Sequence, residues 1–177
     1  MAKKDVFSAD VTLTEKDYLH FNMINCIKMV QAFIVYAVVF LFVLTKMGYY
    51  GETSDVGALM TYLSRPLIMF LLFLAAYVGF IVYRSKSTYH KFPMIQKRHS
   101  YQLNNKQMVV KTESGEAKVK WEEVYQVNES KQMIIVYSTR SHAHLILKSS
   151  FKDQDEISRL KGMLKEVVPK KKFKIKK

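Results

Sequence analysis

The sequence has few of the residues that build disulfide scaffolds and catalytic loops. Its single cysteine, Cys26, excludes an internal disulfide and a cysteine-rich metal site, and is expected to be a small apolar residue of a helix. Its six glycines form no glycine-rich phosphate loop. Acidic residues are also scarce, with 15 Asp and Glu against 28 Lys and Arg and a formal net charge of +13. This imbalance directs attention to anionic partners.

Charge is absent from two apolar stretches, one from Met29 to Thr45 and the other from Pro66 to Tyr83. At 1.5 Å per residue, each can cross about 27 Å of hydrocarbon as a helix. Both are apolar on every face, whereas a helix of a soluble core keeps a polar face. The sequence therefore predicts transmembrane helices at 29–45 and 66–83, joined by an extracytoplasmic loop at 46–65. It disfavours buried core helices and a cleaved signal peptide.

Positive charge flanks the predicted hairpin on the side of the chain termini, whereas the loop carries Glu52 and Asp55. The basic residues concerned are Lys3, Lys4, Lys16, Lys28, Arg84, Lys86, Lys91, Lys97 and Arg98. Because cytoplasmic segments are enriched in Lys and Arg, this distribution predicts that both termini lie in the cytoplasm.

The leader, residues 1–28, is expected to contain two elements. Residues 5–13 have strand propensity, and their partner strand would have to come from the C-terminal domain. Thr14 followed by Asp17 is a helix-start pattern, an N-cap hydroxyl with a carboxylate near the positive helix end. One long helix is expected to run from there into the first span.

The pattern changes from helical to alternating after Pro93, which predicts a cytoplasmic domain over residues 92–168. Five or six short strands are expected to form an antiparallel meander, with segments at 101–103, 108–112, 117–121, 124–127, 133–137 and 143–147. Asp153 and Glu156 form a capping pattern for a closing amphipathic helix. The predicted fold class is thus an α+β membrane protein, a transmembrane hairpin followed by a domain with a pleckstrin-homology-like outline.

No group of residues is arranged in the sequence for catalysis. Glu122 and Glu123 would point to different faces of a strand, and the serines near His142 lack a nucleophile-elbow pattern. His142 and His144 share one face of a predicted strand, a spacing that suits two metal ligands, but no third ligand is evident nearby. We therefore expect no enzymatic activity, no cofactor and no metal.

Residues 169–177 form a polybasic tail that begins at Pro169. A lysine near an anionic leaflet contributes on the order of 1 kcal/mol to binding, and interleaved apolar residues can insert. The residues expected to bind anionic lipid are Lys170, Lys171, Lys172, Phe173, Lys174, Lys176 and Lys177, together with Arg84, Lys86, Lys91, Lys97 and Arg98. A solvated charge run is the alternative. Nucleic acid is disfavoured because no stacking surface or recognition helix accompanies the lysines.

Several short segments occur in an order that carries a resemblance. They are Leu13 to Tyr18 before the first span, then Lys118 to Val124, Met133 to Tyr137 and Ala143 to Phe151 before the closing helix. In this order the chain resembles the YcxB-like family of bacterial membrane proteins. The resemblance implies an inner-membrane protein whose cytoplasmic domain is similar to bacterial pleckstrin-homology folds and has no established enzymatic activity. Comparable domains occur in small membrane proteins that confer immunity to peptide toxins.

Two aromatic residues are expected to anchor the core of this domain. Trp121 ends a predicted strand, and burying an indole contributes several times the free energy of burying a methylene. A ligand platform is the alternative for Trp121. Phe151 ends the run from Ala143 that the resemblance includes, and it is the second expected anchor.

Three functions are compatible with these features. The favoured one is a membrane-anchored interaction module that binds a protein, a peptide or anionic lipid, in envelope stress or toxin immunity. The alternative is a structural or regulatory subunit that pairs through its hairpin, because Ala75, Ala76 and Gly79 permit close helix contact, either with a partner or within the hairpin. A membrane enzyme or transporter is disfavoured because both spans lack ionisable residues.

Overall fold

The computed structural model describes residues 6–46 and 56–174. Within these ranges the chain forms three α-helices and eight strands, divided between two compact units. The helical unit comprises the described part of Thr14–Ile95, and the β unit comprises the described residues before Thr14 and after Ile95. Of the predicted loop at 46–65, residues 47–55 with Glu52 and Asp55 lie outside the described residues, as do Lys3, Lys4, Lys176 and Lys177. Residues 56–65 are helical instead of forming a loop, because the second long helix begins at Val56. The charge of Arg65 ends the uncharged stretch but not the helix, so the predicted start at Pro66 was wrong.

The helical unit consists mainly of α1 (Glu15–Lys46) and α2 (Val56–Lys91). The start of α1 confirms the predicted cap. The Asp17 backbone N–H donates to Thr14 Oγ1 over 3.2 Å, and the Thr14 N–H donates to Asp17 Oδ2 over 3.0 Å. Both N–H groups lie at a helix end that lacks intrahelical acceptors, so this exchange satisfies them.

The two helices pack antiparallel along an aromatic seam. The Phe33 ring lies 6.2 Å from Phe73 and 6.2 Å from Tyr77, and the Tyr77 hydroxyl donates to Met29 Sδ over 3.4 Å. Their outward faces are apolar and exposed, with Tyr36 at 73% and Met69 at 68% exposure. Both helices are long and apolar enough to cross a membrane.

The first sheet of the β unit confirms that the leader strand finds its partner in the C-terminal part of the chain. It contains β1 (Phe7–Val11), β2 (His99–Leu103), β3 (Gln107–Thr112) and β4 (Gly115–Lys120), in the antiparallel order β1-β2-β3-β4. Ala9 lies opposite Tyr101. Alternate residues of β1 are buried, which matches the period of a strand with one face on the core.

The second sheet contains β5 (Gln126–Glu129), β6 (Met133–Tyr137), β7 (Ala143–Leu147) and the short β8 (Phe173–Lys174), in the order β7-β6-β5-β8. The expectation of a single antiparallel meander is therefore corrected in two respects. The chain leaves the ladder after β4 in a turn, in which the Glu123 N–H donates to Lys120 O over 3.0 Å. The tail then adds β8 parallel to β5, a pairing that adjacent strands joined by tight turns cannot make.

The predicted closing helix is α3 (Gln154–Val167). Its N-cap is Asp153, whose carboxylate accepts from the Glu156 N–H over 2.6 Å, while the Glu156 carboxylate accepts from the Lys152 N–H over 2.9 Å. Its apolar face is buried through Ile157, Leu160, Met163 and Leu164. The core of the β unit is thus built from both sheets and α3.

Candidate functional site

Three of the predicted lipid-binding cations lie in the last turns of α2, and they differ in their partners. Lys86 Nζ lies 3.3 Å from Glu15 Oε1, and His90 Nε2 lies 3.0 Å from Glu15 Oε2. Among the described residues, neither Arg84 nor Lys91 has a carboxylate within salt-bridge distance. These two cations keep an uncompensated positive charge.

Arg84 also lines a cleft of about 300 Å³ between α1 and α2, which we call the interhelical cleft. Its polar lining includes Tyr18, Asn22 and Asn25 from α1 and Thr88 from α2. The side chain of Asn22 is partly engaged, because its Nδ2 donates a hydrogen bond to the backbone carbonyl of Tyr18 over 3.1 Å. The cleft therefore combines a guanidinium with amide and hydroxyl groups, a set of donors suited to an anion.

The rest of the described lining is mostly apolar. Cys26, Met29, Tyr77 and Ile81 contribute to it. Ser85 is buried and its hydroxyl donates to Ile81 O over 2.7 Å, so this polar side chain is satisfied within its own helix. The described lining of the cleft is thus amphipathic, and Arg84 carries its formal charge.

The basic residues at the start of β2 are compensated by carboxylates of the same unit. Lys97 Nζ lies 2.7 Å from Glu113, and Arg98 donates to Asp10 over 2.6 Å. Asp10 also accepts from the Ser100 hydroxyl over 2.6 Å. The bonds from Arg98 and Ser100 hold the pKa of Asp10 below its usual value. Lys97 and Arg98 are therefore weaker candidates for binding an external anion than Arg84.

The structure places the described part of the polybasic tail on the β unit. Lys170, Lys171 and Lys172 form a 3₁₀ turn, and the ammonium of the last donates to Glu122 O over 2.8 Å. Phe173 is half-buried and pairs with Val127. Lys170 and Lys171 remain exposed. Insertion of the Phe173 side chain into a membrane stays a prediction, and it would compete with this contact.

The β unit brings together three histidines that are dispersed in the sequence. His142 and His144 have ring centroids 5.2 Å apart, and Tyr101 lies between His99 and His144, 6.3 Å and 6.2 Å from their rings. Burial, together with the charges of His142 and His99, lowers the pKa of His144 to about 4. The described residues nevertheless contain no group of three ligands arranged to hold a metal ion. The proximity of His99 is not evident in the sequence.

The two predicted core anchors lie inside the β unit. Trp121 is 2% exposed, and its indole N–H donates to the Asn104 carbonyl over 2.7 Å. Phe151 is 8% exposed. A largely buried indole with its only donor satisfied offers little surface to a ligand, so the contacts of Trp121 favour the packing role over the ligand platform.

A charged cluster that the sequence did not reveal joins α3 to the second sheet. Glu129 is largely buried and accepts from Lys148 over 2.5 Å and from Lys161 over 2.9 Å. Burial opposes ionisation of Glu129, but the two lysines outweigh it and lower the pKa of the carboxyl.

The sequence analysis also missed three polar residues that line the interhelical cleft, namely Asn22, Asn25 and Thr88. Their signal in the sequence is weak: Asn22 and Asn25 are polar residues three positions apart before the first apolar stretch, and Thr88 is a polar residue after the second.

Comparison with known proteins identifies part of the β unit. No curated protein and no solved structure matches the chain. A family model described as YcxB-like protein matches residues 103–164, from the end of β2 into α3. This match confirms the resemblance noted in the sequence, and residues 103–164 thus carry a YcxB-like domain.

Proposed function

We propose that this chain is a membrane-anchored, non-enzymatic interaction module of the bacterial inner membrane. Its two long helices span the bilayer, and its pleckstrin-homology-like β unit lies in the cytoplasm with both termini. The β unit binds a protein or peptide partner or anionic lipid, in a setting such as envelope stress or toxin immunity.

The observation that carries this proposal is the exposed apolar surface of α1 and α2. Tyr36, Phe40, Met69 and Leu72 are all more than half exposed, although each is large and apolar. A contiguous apolar surface of this kind is rare on soluble monomers and is covered by lipid or by another protein. The basic residues at the end of α2 lie where the lipid head groups would begin, which favours lipid and the predicted orientation.

The sheets add an interaction surface of a different kind. β4 is an edge strand of the first sheet, and most of its residues are exposed. An edge strand offers unpaired backbone groups to a peptide that adds to the sheet, although Lys118 and Lys120 limit indiscriminate pairing. This geometry supports a peptide or protein partner for the β unit.

The proposal is tested by purifying the full-length protein from its native membrane and analysing co-purified proteins and lipids by mass spectrometry. A stoichiometric protein partner or an enriched anionic lipid is the expected result. Extraction of the protein by alkaline carbonate would contradict membrane spanning, and a purified protein with neither partner nor enriched lipid would contradict the interaction module.

A second candidate function, that of a subunit paired through the hairpin, is favoured by one observation. The small residues Ala75, Ala76 and Gly79 are exposed on α2, and a Cβ at Gly79 would meet no atom of the described chain within 4 Å. The small residues therefore leave a shallow outward face, where another helix can approach closely. This favours contact with a partner over packing within the hairpin.

The subunit function is tested by adding bulk to this face. Gly79→Leu is expected to leave the hairpin intact, because the space is open and leucine favours helix. Loss of a co-purifying membrane protein from Gly79→Leu, but not from Met69→Phe, would support the subunit function. Equal recovery of that protein with both variants would exclude this face as the contact.

A further inference from the structure

We propose that the interhelical cleft binds the phosphate group of one anionic phospholipid, with Arg84 as the pairing cation. This inference rests on the membrane anchoring proposed above. It goes beyond a general attraction of basic residues to an anionic leaflet, because it assigns one lipid to one built site.

The charges around the cleft favour an anion. Among the described residues that line the cleft, Arg84 is the one formally charged residue, and none is a carboxylate. The nearest acids along α1 have partners of their own, because Glu15 is held by Lys86 and His90, and Asp17 by Thr14. Arg84 is exposed and has no counter-ion among the described residues, so it gains more from an incoming anion than a guanidinium that is already paired.

The groups that line the cleft beside Arg84 include hydrogen-bond donors, which suit the oxygens of a phosphate. A guanidinium offers several N–H donors in a planar fork that fits two phosphate oxygens at once. Asn22 uses one amide hydrogen on the Tyr18 carbonyl and carries a second, and Thr88 supplies a hydroxyl to the lining. These neutral donors add hydrogen bonds without attracting cations.

The apolar part of the cleft lining favours a lipid over a soluble phosphate. Met29 begins the first apolar stretch, and Tyr77 and Ile81 lie near the end of the second, where glycerol and the first methylenes of a lipid would lie. A volume of about 300 Å³ is at the small end for ligand sites and suits a head group rather than a whole lipid.

Further along the same helix pair, an apolar groove of about 570 Å³ includes Phe33, Phe40 and Phe70 in its lining. The Phe33 ring, 6.2 Å from Tyr77, connects the two spaces along the seam. This groove can accommodate an acyl chain, whereas a free phosphate would gain nothing from its apolar lining.

The test uses the full-length protein in nanodiscs that contain equal phosphatidylglycerol and phosphatidylcholine, with retained lipid measured by native mass spectrometry after mild release. The variants are Arg84→Gln, Thr88→Val and the conservative Arg84→Lys. Lys91→Gln is the matched control, because it removes the same charge from the same helix at a residue that does not line the cleft. Circular dichroism checks that each variant keeps its helices.

The expected result is one phosphatidylglycerol retained per protein. Arg84→Gln is expected to reduce this retention at least tenfold, Thr88→Val about threefold, and Lys91→Gln less than twofold. Arg84→Lys is expected to keep part of the retention, since charge remains but the bidentate fork is lost.

Three results would overturn the inference, and they separate its failure from that of the proposed function. Equal losses of retained phosphatidylglycerol from Arg84→Gln and Lys91→Gln would show a general attraction of basic residues to anionic lipid and no specific site. The proposed membrane anchoring would be unaffected by this result. Binding of inorganic phosphate to the protein in lipid-free micelles, with the same dependence on Arg84, would make a soluble phosphate compound the ligand. Absence of retained phosphatidylglycerol from a protein stably held in nanodiscs would remove lipid recognition but not membrane anchoring.

Discussion

The two units use the same apolar residue types in opposite ways. In the β unit, large side chains such as Trp121, Ile134 and Leu160 are fully buried. In the helical unit, Tyr36, Met69 and Leu72 are exposed on the outward faces of two packed helices. The β unit therefore carries its own core, whereas the helical unit leaves much of its apolar surface exposed. Four predictions test this difference between the two units.

The largest effect is expected from Trp121→Ala. This substitution removes a fully buried indole and its bond to Asn104, and is expected to destabilise the β unit by about 3–5 kcal/mol. Leu72→Ala, at an exposed site of α2, is the contrasting variant and is expected to cost under about 1 kcal/mol in detergent. Thermal unfolding of the full-length protein measures both, and similar costs would contradict the division into a buried core and an exposed hairpin.

A smaller loss is expected from Glu129→Gln, which leaves Lys148 and Lys161 near each other without their shared carboxylate. We expect a cost of about 2–3 kcal/mol, below that of a fully buried pair because both lysines are partly exposed. Glu113→Gln, which breaks the exposed pair with Lys97, is the control and should cost no more than about 1 kcal/mol. Denaturant unfolding compares the free energies of unfolding of the two variants. Equal costs would show that the ion pairs of Glu129 stabilise the protein no more than an exposed ion pair does.

A pH dependence is expected from His144. Its pKa falls from 6.5 to about 4 in the folded protein, so below pH 6.5 the unfolded chain binds a proton that the folded chain does not. Stability from this group is present above pH 6.5 and is lost as the pH falls towards 4, with a loss of about 1–2 kcal/mol for a partly exposed ring. His144→Gln should flatten the free energy of unfolding between pH 4.5 and 6.5. An unchanged slope in this variant would assign the dependence to other groups.

The smallest effect is expected from removing residues 169–177. The described part of this segment contributes the two-residue strand β8 at a sheet edge and the bond from Lys172 to Glu122, so the expected cost is under about 1 kcal/mol. Unfolding of the shortened full-length chain measures this cost. A loss of several kcal/mol would make the tail a structural part of the β unit.

Local patterns in the sequence were sufficient for the starts of α1 and α3 and for the approximate positions of most strands, but not for the start of α2 at Val56. Thr14 with Asp17, and Asp153 with Glu156, identified two caps because an N-cap bond spans only three residues. The leader strand was also predictable, since an isolated strand needs a partner and only the C-terminal segment offered one. The apolar spans were evident from composition alone.

Contacts between distant segments could not be predicted in the same way. The exit of the chain after β4 depends on the buried packing of Trp121 and Val124, and the parallel pairing of β8 depends on where α3 ends. Two further tertiary contacts bring His99 near His144 and place Lys148 and Lys161 around Glu129. None of these contacts has a periodic signature along the chain, so they require the folded arrangement.

The pairing of β1 with β2 has a topological consequence. Val11 lies opposite His99, so the chain departs from the first sheet and returns to it at neighbouring points, and the whole helical hairpin is an insertion between two adjacent strands. Such an insertion can in principle be exchanged for a tight turn. Joining Leu13 to Gln96 through a short glycine- and asparagine-containing linker would make β1 and β2 an ordinary β-hairpin, and would yield the β unit as a protein free of its two apolar helices.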